Sequence, residues 1–333
     1  MLWDLPYLKA QVPLLDYLQR HNWSARRVGS SQEFVGLCPL HQESRPSFYV
    51  NAGKNLFYCH GCGQGGDVIR FVQLLFGIPF SESIAHLRRE LGLPELGEEE
   101  VFEDAADFYQ AQLSRYVEAI DYLYGRGIRE AKILCMMRIG YAPGGVLRRH
   151  LTHLGYSSQL LLRCGLINTR GQDAFYGRIV FPCFDPPGPK NLYGRSLASQ
   201  APHRFLGRSK GGLLAWRMVS PLDSVILVEG AFDVAILWQE GFCNATCAFG
   251  THLTQTQIAQ LSDRPGRAVF IAFDSDHNRA GESAARALGR RLREAGLEVR
   301  IVSLPAGQDP NSFFLSGATA DDFRGCLEQA EVI

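Results

Sequence analysis

The sequence predicts a multidomain chain of α+β and α/β class. Three observations carry that expectation. Two close Cys/His pairs bracket a hairpin pattern, a second hairpin pattern surrounds a Pro/Gly turn, and a C-terminal stretch alternates apolar strand-length runs with helix-period segments. A length of 333 residues is enough for two or three units, each with its own core. Hydrophobic residues at 46% and charged residues at 20% are ordinary for a globular protein. Formal net charge is zero, so any polyanion site has to come from local basic clusters. Such clusters stand at Arg26-Arg27, Arg88-Arg89, Arg148-Arg149, Arg204 to Arg217 and Arg286 to Arg300. The last run falls at helical spacing among Ala and Leu and reads as a solvated helix face. No run of about 18 apolar residues occurs, so no membrane span is expected. The opening MLWDLPYLKAQVP lacks a basic-then-apolar signal layout, and the expected location is the cytoplasm. There the nine cysteines are thiols or metal ligands rather than a disulfide framework.

The first block, residues 1–95, opens with an amphipathic helix pattern at Leu14, Leu15 and Leu18. Cys38-Pro-Leu-His41 then precedes Cys59-His-Gly-Cys62 by seventeen residues. Two ligand pairs brought together by a hairpin are what a closed tetrahedral zinc site needs. Ser47-Phe-Tyr-Val and Leu56-Phe-Tyr-Cys read as the two strands, with Asn51 to Asn55 as the turn. Gly61 and Gly63 suit a tight knuckle. His60 is an alternative ligand to His41, but its neighbour Cys59 competes for the same position. The other six cysteines are scattered and read as small buried side chains. Strand alternation turns about half of Phe48, Tyr49, Phe57 and Tyr58 inward. The rest, with Arg45, Lys54 and Arg70 nearby, are placed to stack on unpaired bases. Helices follow at about 67–77 and 81–91.

An acidic stretch from Glu95 to Asp104 suits a linker into the second block, residues 101–212. That block begins with a helical stretch from Ala105 to Tyr124 and reaches a hairpin. Its strands are Arg178-Ile-Val-Phe-Pro and Asn191-Leu-Tyr-Gly-Arg, on either side of Asp185-Pro-Pro-Gly-Pro-Lys. The third block, residues 213–333, alternates strands at 225–229, 244–249, 268–274 and 298–304 with helices at 232–239, 255–261 and 280–295. This pattern implies a mostly parallel sheet covered on both faces. Glu229 ends one strand, with Asp233 one turn into the next helix. Asp274 and Asp276 follow another strand, and Asp309 and Asn311 a third. Parallel sheets place ligand sites beyond the carboxyl ends of their strands, so these side chains can converge. Clustered carboxylates call for cations, and Mg²⁺ suits hard oxygen ligands and phosphate oxygens. Taken singly, Asp276 and Asp309 also fit a turn or a helix N-cap.

With these residues in place, the chain resembles the bacterial-type DNA primases over roughly residues 10 to 318, and more loosely the primase halves of phage primase-helicases. The resemblance rests on Cys38-Pro-Leu-His41 with Arg45-Pro-Ser-Phe48, Phe57-Tyr-Cys59-His-Gly-Cys62-Gly and Gly65-Gly66-Asp67. It continues in Arg178-Ile-Val-Phe-Pro, Tyr193-Gly-Arg195 and His203-Arg204-Phe-Leu, and ends in Glu229-Gly-Ala-Phe-Asp233, Asp274-Ser-Asp276 and Asp309-Pro-Asn311. It implies a zinc ribbon, a basic subdomain and a Toprim-type sheet that together join NTPs into short RNA on a single-stranded DNA template. Glu229, Asp274 and Asp276 would hold Mg²⁺ or Mn²⁺, with Asp233 and Asp309 supporting. Cys38, His41, Cys59 and Cys62 would hold structural Zn²⁺, and Arg178, Arg195, Arg204 and Lys210 would meet template or nucleotide phosphates. Asn311 departs from the second Asp usual in the family, and His277-Asn278 lengthens the loop after Asp276. The end at Ile333 leads to the expectation of a short form without the helicase-binding C-terminal domain. Any replicative helicase or element-encoded replication protein would then act in trans. The alternative readings are a primase-derived binding protein without catalysis and a Toprim nuclease.

Overall fold

The computed structural model describes residues 5–30, 32–93, 96–185, 188–198, 201–275 and 280–333. Contacts divide the chain into two units, Met1–Val101 with Gly145–Gly171, and Phe102–Gly144 with Gln172–Ile333. Among the described residues no single helix is long and apolar enough to cross a membrane.

The first unit opens with helices α1 (Leu5–Gln11) and α2 (Leu14–Arg20). The second of these buries Leu14, Tyr17 and Leu18. An antiparallel sheet follows in the order β1 (Ala25–Arg27), β2 (Glu33–Gly36), β3 (Phe48–Asn51), β4 (Leu56–Cys59) and β5 (Gly65–Gly66). In β3 and β4, Phe48 stands opposite Cys59, and Val50 opposite Phe57. These four are buried, while Tyr58 is exposed and Tyr49 half-buried. Period-two alternation thus divides the aromatics between core and surface as expected. Helices α3 (Val68–Phe76) and α4 (Phe80–Glu90) close the core with Val68, Phe71, Val72, Ile84 and Leu87. Asp67 caps α3, accepting from the Arg70 amide at 3.0 Å.

The acidic stretch read as a linker is mostly helical. Helix α5 (Glu98–Leu113) begins there, with Glu98, Glu99 and Glu100 in its first turn, where the helix dipole favours carboxylates. The helix expected to run to Tyr124 breaks after Leu113. It resumes as α6 (Val117–Gly125), followed by α7 (Ala131–Met136) and strand β6 (Gly140–Ala142). Helices α8 (Leu147–His153) and α9 (Ser158–Arg163) belong to the first unit, where His153 stacks on Phe80 with ring centroids 5.3 Å apart.

In the second unit β6 joins β7 (Arg178–Asp185), β8 (Gly188–Ser196) and β9 (Arg204–Phe205) in an antiparallel sheet of that order. After α10 (Trp216–Val219) the alternating segment begins. It runs β10 (Ser224–Val228), α11 (Ala231–Gln239), β11 (Ala245–Cys247), α12 (Gln255–Leu261), β12 (Ala268–Ile271), α13 (Ala280–Glu294) and β13 (Glu298–Ile301). Two helices not anticipated from the sequence, α14 (Pro310–Leu315) and α15 (Ala320–Glu328), lead to an edge strand β14 (Glu331–Val332). The sheet order is β11-β10-β12-β13-β14, parallel except for β14. The chain therefore leaves β10 toward one edge, returns to β12, and then proceeds toward the other. Right-handed crossovers place α11 and α13 on opposite faces. The reversal lies between β10 and β12, which is where open α/β sheets bind ligands. One continuous core joins Ile179, Phe181, Cys183 and Tyr193 of the antiparallel sheet to the parallel strands and α11. On α13, Ala285, Leu288 and Leu292 are buried and Arg290, Arg291 and Arg293 exposed, the solvated basic face that its spacing predicted.

Candidate functional site

In the ribbon, one ligand atom from each of Cys38, His41, Cys59 and Cys62 lies within 4.8 Å of the others. Four donors about 2.0–2.3 Å from a single zinc ion have such mutual distances. His41 turns Nδ1 toward Cys59 Sγ at 3.9 Å, and its Nε2 lies 3.3 Å from Glu43 Oε2. Glu43 does more: its carboxylate accepts from the Cys38 amide at 2.8 Å, the Ser47 amide at 3.1 Å and the Ser47 hydroxyl at 2.5 Å. The Ser47 hydroxyl in turn lies 3.2 Å from Cys59 Sγ. One carboxylate thus organises both halves of the knuckle, the usual arrangement behind a metal-binding histidine. Sequence reading passed over Glu43, whose only signal is a carboxylate two positions beyond His41. A Cβ on Gly61 would come within 2.7 Å of both His41 Nε2 and Ser47 Oγ, and Gly63 has φ +70°, so both knuckle glycines are required. Burial pushes the Cys38 thiol up to about 12. A bare thiolate is disfavoured there, and a cation offsets that cost. His60, the alternative ligand, packs edge-on against Tyr49 and Tyr58, with centroids at 5.2 and 4.9 Å. Of the remaining cysteines, Cys164, Cys183 and Cys247 are buried as expected, whereas Cys326 is half-buried and Cys135, in α7, and Cys243 are exposed.

The acidic residues stand at the switch point of the parallel sheet. Glu229 follows β10 directly, and its Oε1 accepts from the backbone amide of Asp274, beyond β12, at 3.1 Å. The two strand tips are therefore tied by one of the carboxylates. Asp233 is buried in the first turn of α11. Its Oδ2 accepts from the Gly230 amide at 3.1 Å and its Oδ1 from the Asn311 amide at 3.2 Å, linking α11 to α14. Burial, then the charges of Asp309 and Asp274, hold the Asp233 carboxyl well above the usual carboxylate range. Asp309 is the N-cap of α14, accepting from the Ser312 amide at 2.6 Å. It keeps this capping role while placing charge near Asp233. Asn311 is 1% exposed and donates its side-chain amide to the Arg126 carbonyl at 2.7 Å. A carboxylate would be repelled by that carbonyl, which gives Asn a local reason to stand here. Asp276, with the His277-Asn278 insertion, lies outside the described residues. Among the described residues the Cys/His group alone converges within 4.8 Å, so Glu229, Asp274, Asp233 and Asp309 are neighbours rather than a closed cage. Gly281, at the start of α13, was also missed. A Cβ there would sit 2.1 Å from the Asp274 carbonyl oxygen, so the helix start presses directly on the Asp274 backbone.

The four basic residues divide between the faces of the antiparallel sheet. Arg178 stands opposite Ser196, and Gly194 opposite both Val180 and Arg204. Arg178 and Arg204 thus share a face with Gly194 between them, where a Cβ would lie 2.9 Å from the Arg178 Cδ. Burial and the charge of Arg204 lower the affinity of Arg178 for its proton. Asp173 is buried beside them. Its Oδ1 accepts from the Tyr109 hydroxyl at 2.8 Å and the Phe175 amide at 2.7 Å, and burial raises its pKa to about 6. Arg195 faces the opposite way, paired with Ile179 and on the side of Tyr193 and Phe205. Lys210 lies on that side too, with Nζ 5.1 Å from the centre of the Phe205 ring and bonded to the Phe249 carbonyl at 2.9 Å. The next residue, Gly250, donates its amide to the Glu229 carbonyl at 2.8 Å, so Lys210 stands close to the acidic strand tips.

Three family models match successive stretches: a CHC2 zinc finger over residues 8–101, the N-terminal domain of the DNA primase catalytic core over 108–207, and a Toprim-like domain over 226–314. A DNA primase of Aquifex aeolicus (strain VF5) is 32% identical over 334 residues, covering 93% of this chain and 66% of that protein. One of Deinococcus radiodurans is 33% identical over 86% of this chain and 54% of its own length. The chain thus spans about half to two thirds of these curated relatives. The crystal structure of the zinc-binding and RNA polymerase domains of the Aquifex aeolicus primase matches with TM-score 0.63 at 29% identity, over all of this chain and 87% of that one. The DnaG primase catalytic domain bound to single-stranded DNA matches with TM-score 0.59 at 27% identity, over 70% of this chain and 81% of that one. With the ribbon, the catalytic-core domain and the Toprim-like sheet in that order, and Glu229 joined to Asp274 at the switch point, the chain belongs to the family of bacterial-type DNA primases.

Proposed function

We propose that the chain is a DNA-directed RNA polymerase of the primase type, joining NTPs into short RNA on single-stranded DNA. The observation that carries this reading is the bond from the Asp274 amide to the Glu229 carboxylate, which gathers two parallel strand tips at the topological switch point. The donors there are hard carboxylate oxygens, and burial followed by the charges of Asp309 and Asp274 raises the Asp233 carboxyl, a setting that fits a divalent cation. Glu229, Asp274 and Asp276 would hold Mg²⁺ or Mn²⁺. Such ions polarise an attacking hydroxyl and neutralise phosphate charge. Asp233 positions the site by bonding the backbone at the starts of α11 and α14. Asp309 adds charge to the pocket from its place as a helix cap. Lys210 and Arg195, on the face nearer the strand tips, are assigned to the nucleotide phosphates. Arg178 and Arg204 are assigned to the template backbone. Cys38, His41, Cys59 and Cys62 would hold Zn²⁺ and stabilise the ribbon, whose Tyr49 and Tyr58 offer rings to unpaired template bases. The functional divisions proposed are 1–95, 101–212 and 213–333.

The test supplies intact, zinc-loaded protein with unprimed single strands, labelled ribonucleotides and Mg²⁺ or Mn²⁺. Short RNA should accumulate, and Asp274→Ala should reduce it by roughly a hundredfold or more, the scale of losing a charged group from a catalytic centre. DNA cleavage without added nucleotides would mark a nuclease instead. Template binding with no synthesis on any template would mark a non-catalytic binding protein.

A further inference from the structure

Tyr176 is the most exposed aromatic side chain among the described residues, at 66%. A lone exposed ring is unremarkable, but this one is built in. A Cβ on Gly144 would lie 2.3 Å from its Cδ2, 3.0 Å from Cε2 and 3.2 Å from Cγ, so the ring rests directly over the glycine backbone. Gly144 has φ +80°, a conformation that strains other residues, so two requirements converge on glycine there. The ring is supported from beneath, with the rest of its surface open. The Tyr176 carbonyl accepts from Arg178 Nη1 at 3.0 Å, which holds the guanidinium at the backbone of the residue that carries the ring. On its other side Arg178 meets Arg204 across Gly194, where the absence of a side chain lets the arginine stem lie flat. The two arginines thus share one face, close enough for the charge of Arg204 to act on Arg178. The carboxyl buried nearby, Asp173, spends one oxygen on Tyr109 and Phe175.

We infer that Tyr176, Arg178 and Arg204 form a binding step for one nucleotide of a single strand, with the base stacked on the Tyr176 ring and the adjoining phosphate on the two guanidiniums. An aromatic face accepts any base, and a pair of planar cations suits a phosphate, so the step is indifferent to sequence. Pairing a π-face with a phosphate site distinguishes a strand with exposed bases from a duplex, whose bases are already stacked. The inference deepens the nucleic-acid reading proposed for this subdomain and rests on it.

The test measures equilibrium binding of intact, zinc-loaded protein to a labelled oligothymidylate and to a chain of abasic deoxyribose spacers with the same number of phosphates. Wild type should prefer the oligothymidylate. Tyr176→Ala should weaken oligothymidylate binding by about fivefold or more, the scale of one lost stacked base, and leave the spacer chain unchanged. Tyr176→Phe should bind as wild type, because stacking needs only the ring. The dependence of affinity on salt should be unaltered in Tyr176→Ala and shallower in Arg178→Ala and Arg204→Ala, which remove phosphate contacts. If wild type binds neither chain, the nucleic-acid reading itself fails. If wild type binds oligothymidylate and Tyr176→Ala binds it equally well, the stacking step alone is overturned. Equal losses in Tyr176→Phe and Tyr176→Ala also overturn it, since they would implicate the hydroxyl.

Discussion

Asp173 shows what a single side chain can reveal that composition cannot. It is 9% exposed and bonded to Tyr109 and Phe175, and its second oxygen finds no hydrogen-bond partner among the described residues. Burial raises its pKa from 3.8 to about 6, against the lowering effects of the Phe175 amide, the Tyr109 hydroxyl, Arg204 and Arg178. A carboxyl whose folded pKa lies above its unfolded one favours the folded state most below the unfolded pKa. That contribution is lost as pH rises through about 6. Asp173→Asn keeps an oxygen acceptor for Tyr109 and Phe175 and removes the ionisation. Between about pH 4 and about pH 8, the variant should therefore lose less stability than wild type, by about 2 kcal/mol, in urea unfolding curves. Parallel curves for the two proteins would refute the assignment. Legibility at this scale follows the rigidity of the chemistry. The four Cys/His side chains that converge in the ribbon could be picked out because tetrahedral coordination would impose such a spacing on the chain. Asp173 and Glu43 could not, because a carboxylate in a loop acquires meaning only from what the fold places around it.

At the scale of elements, strand and helix followed from period. The run Val225 to Val228 is apolar throughout and becomes the interior strand β10, flanked by β11 and β12, and the alternation in Phe48 to Asn51 becomes the half-buried β3. Misreadings fell where local signals were ambiguous. The acidic run before Asp104 resembles a linker in composition, yet its glutamates suit a helix N-terminus. The stretch Ser114 to Tyr116 carries no Pro or Gly to announce the break between α5 and α6. The start of α13 was read as an ordinary helix, though Gly281 is there because the Asp274 backbone leaves no room for a side chain. Gly281→Ala should therefore displace Asp274 while the ribbon remains intact. We expect primer synthesis to fall at least about tenfold, since a misplacement of about an ångström at a reacting centre costs up to about a hundredfold, with zinc content unchanged. Wild-type synthesis by this variant would show that the contact does not set the Asp274 position.

For the molecule as a whole, the order of the motifs was legible and their packing was not. Blocks separated in sequence at residue 212 share one core, because the inner face of the antiparallel sheet and the strands around β10 bury each other's apolar surface. The link is also polar: Lys210 donates to the Phe249 carbonyl at 2.9 Å and the Asn311 side-chain amide to the Arg126 carbonyl at 2.7 Å. A boundary drawn between motifs therefore crosses a folded body, and residues 145–171 return to the ribbon's unit across a distance in sequence that no local pattern records. What unifies the second unit is the switch point, where Glu229 and Asp274 meet beside Lys210. That pocket is expected to seat a divalent ion. Mn²⁺ titration of the intact, zinc-loaded protein, followed by loss of the free-ion electron paramagnetic resonance signal, tests it most directly. Saturable binding is expected, weakened by about tenfold or more in both Glu229→Gln and Asp274→Asn, with zinc content and folding preserved. Unchanged Mn²⁺ affinity in the two folded variants would contradict it.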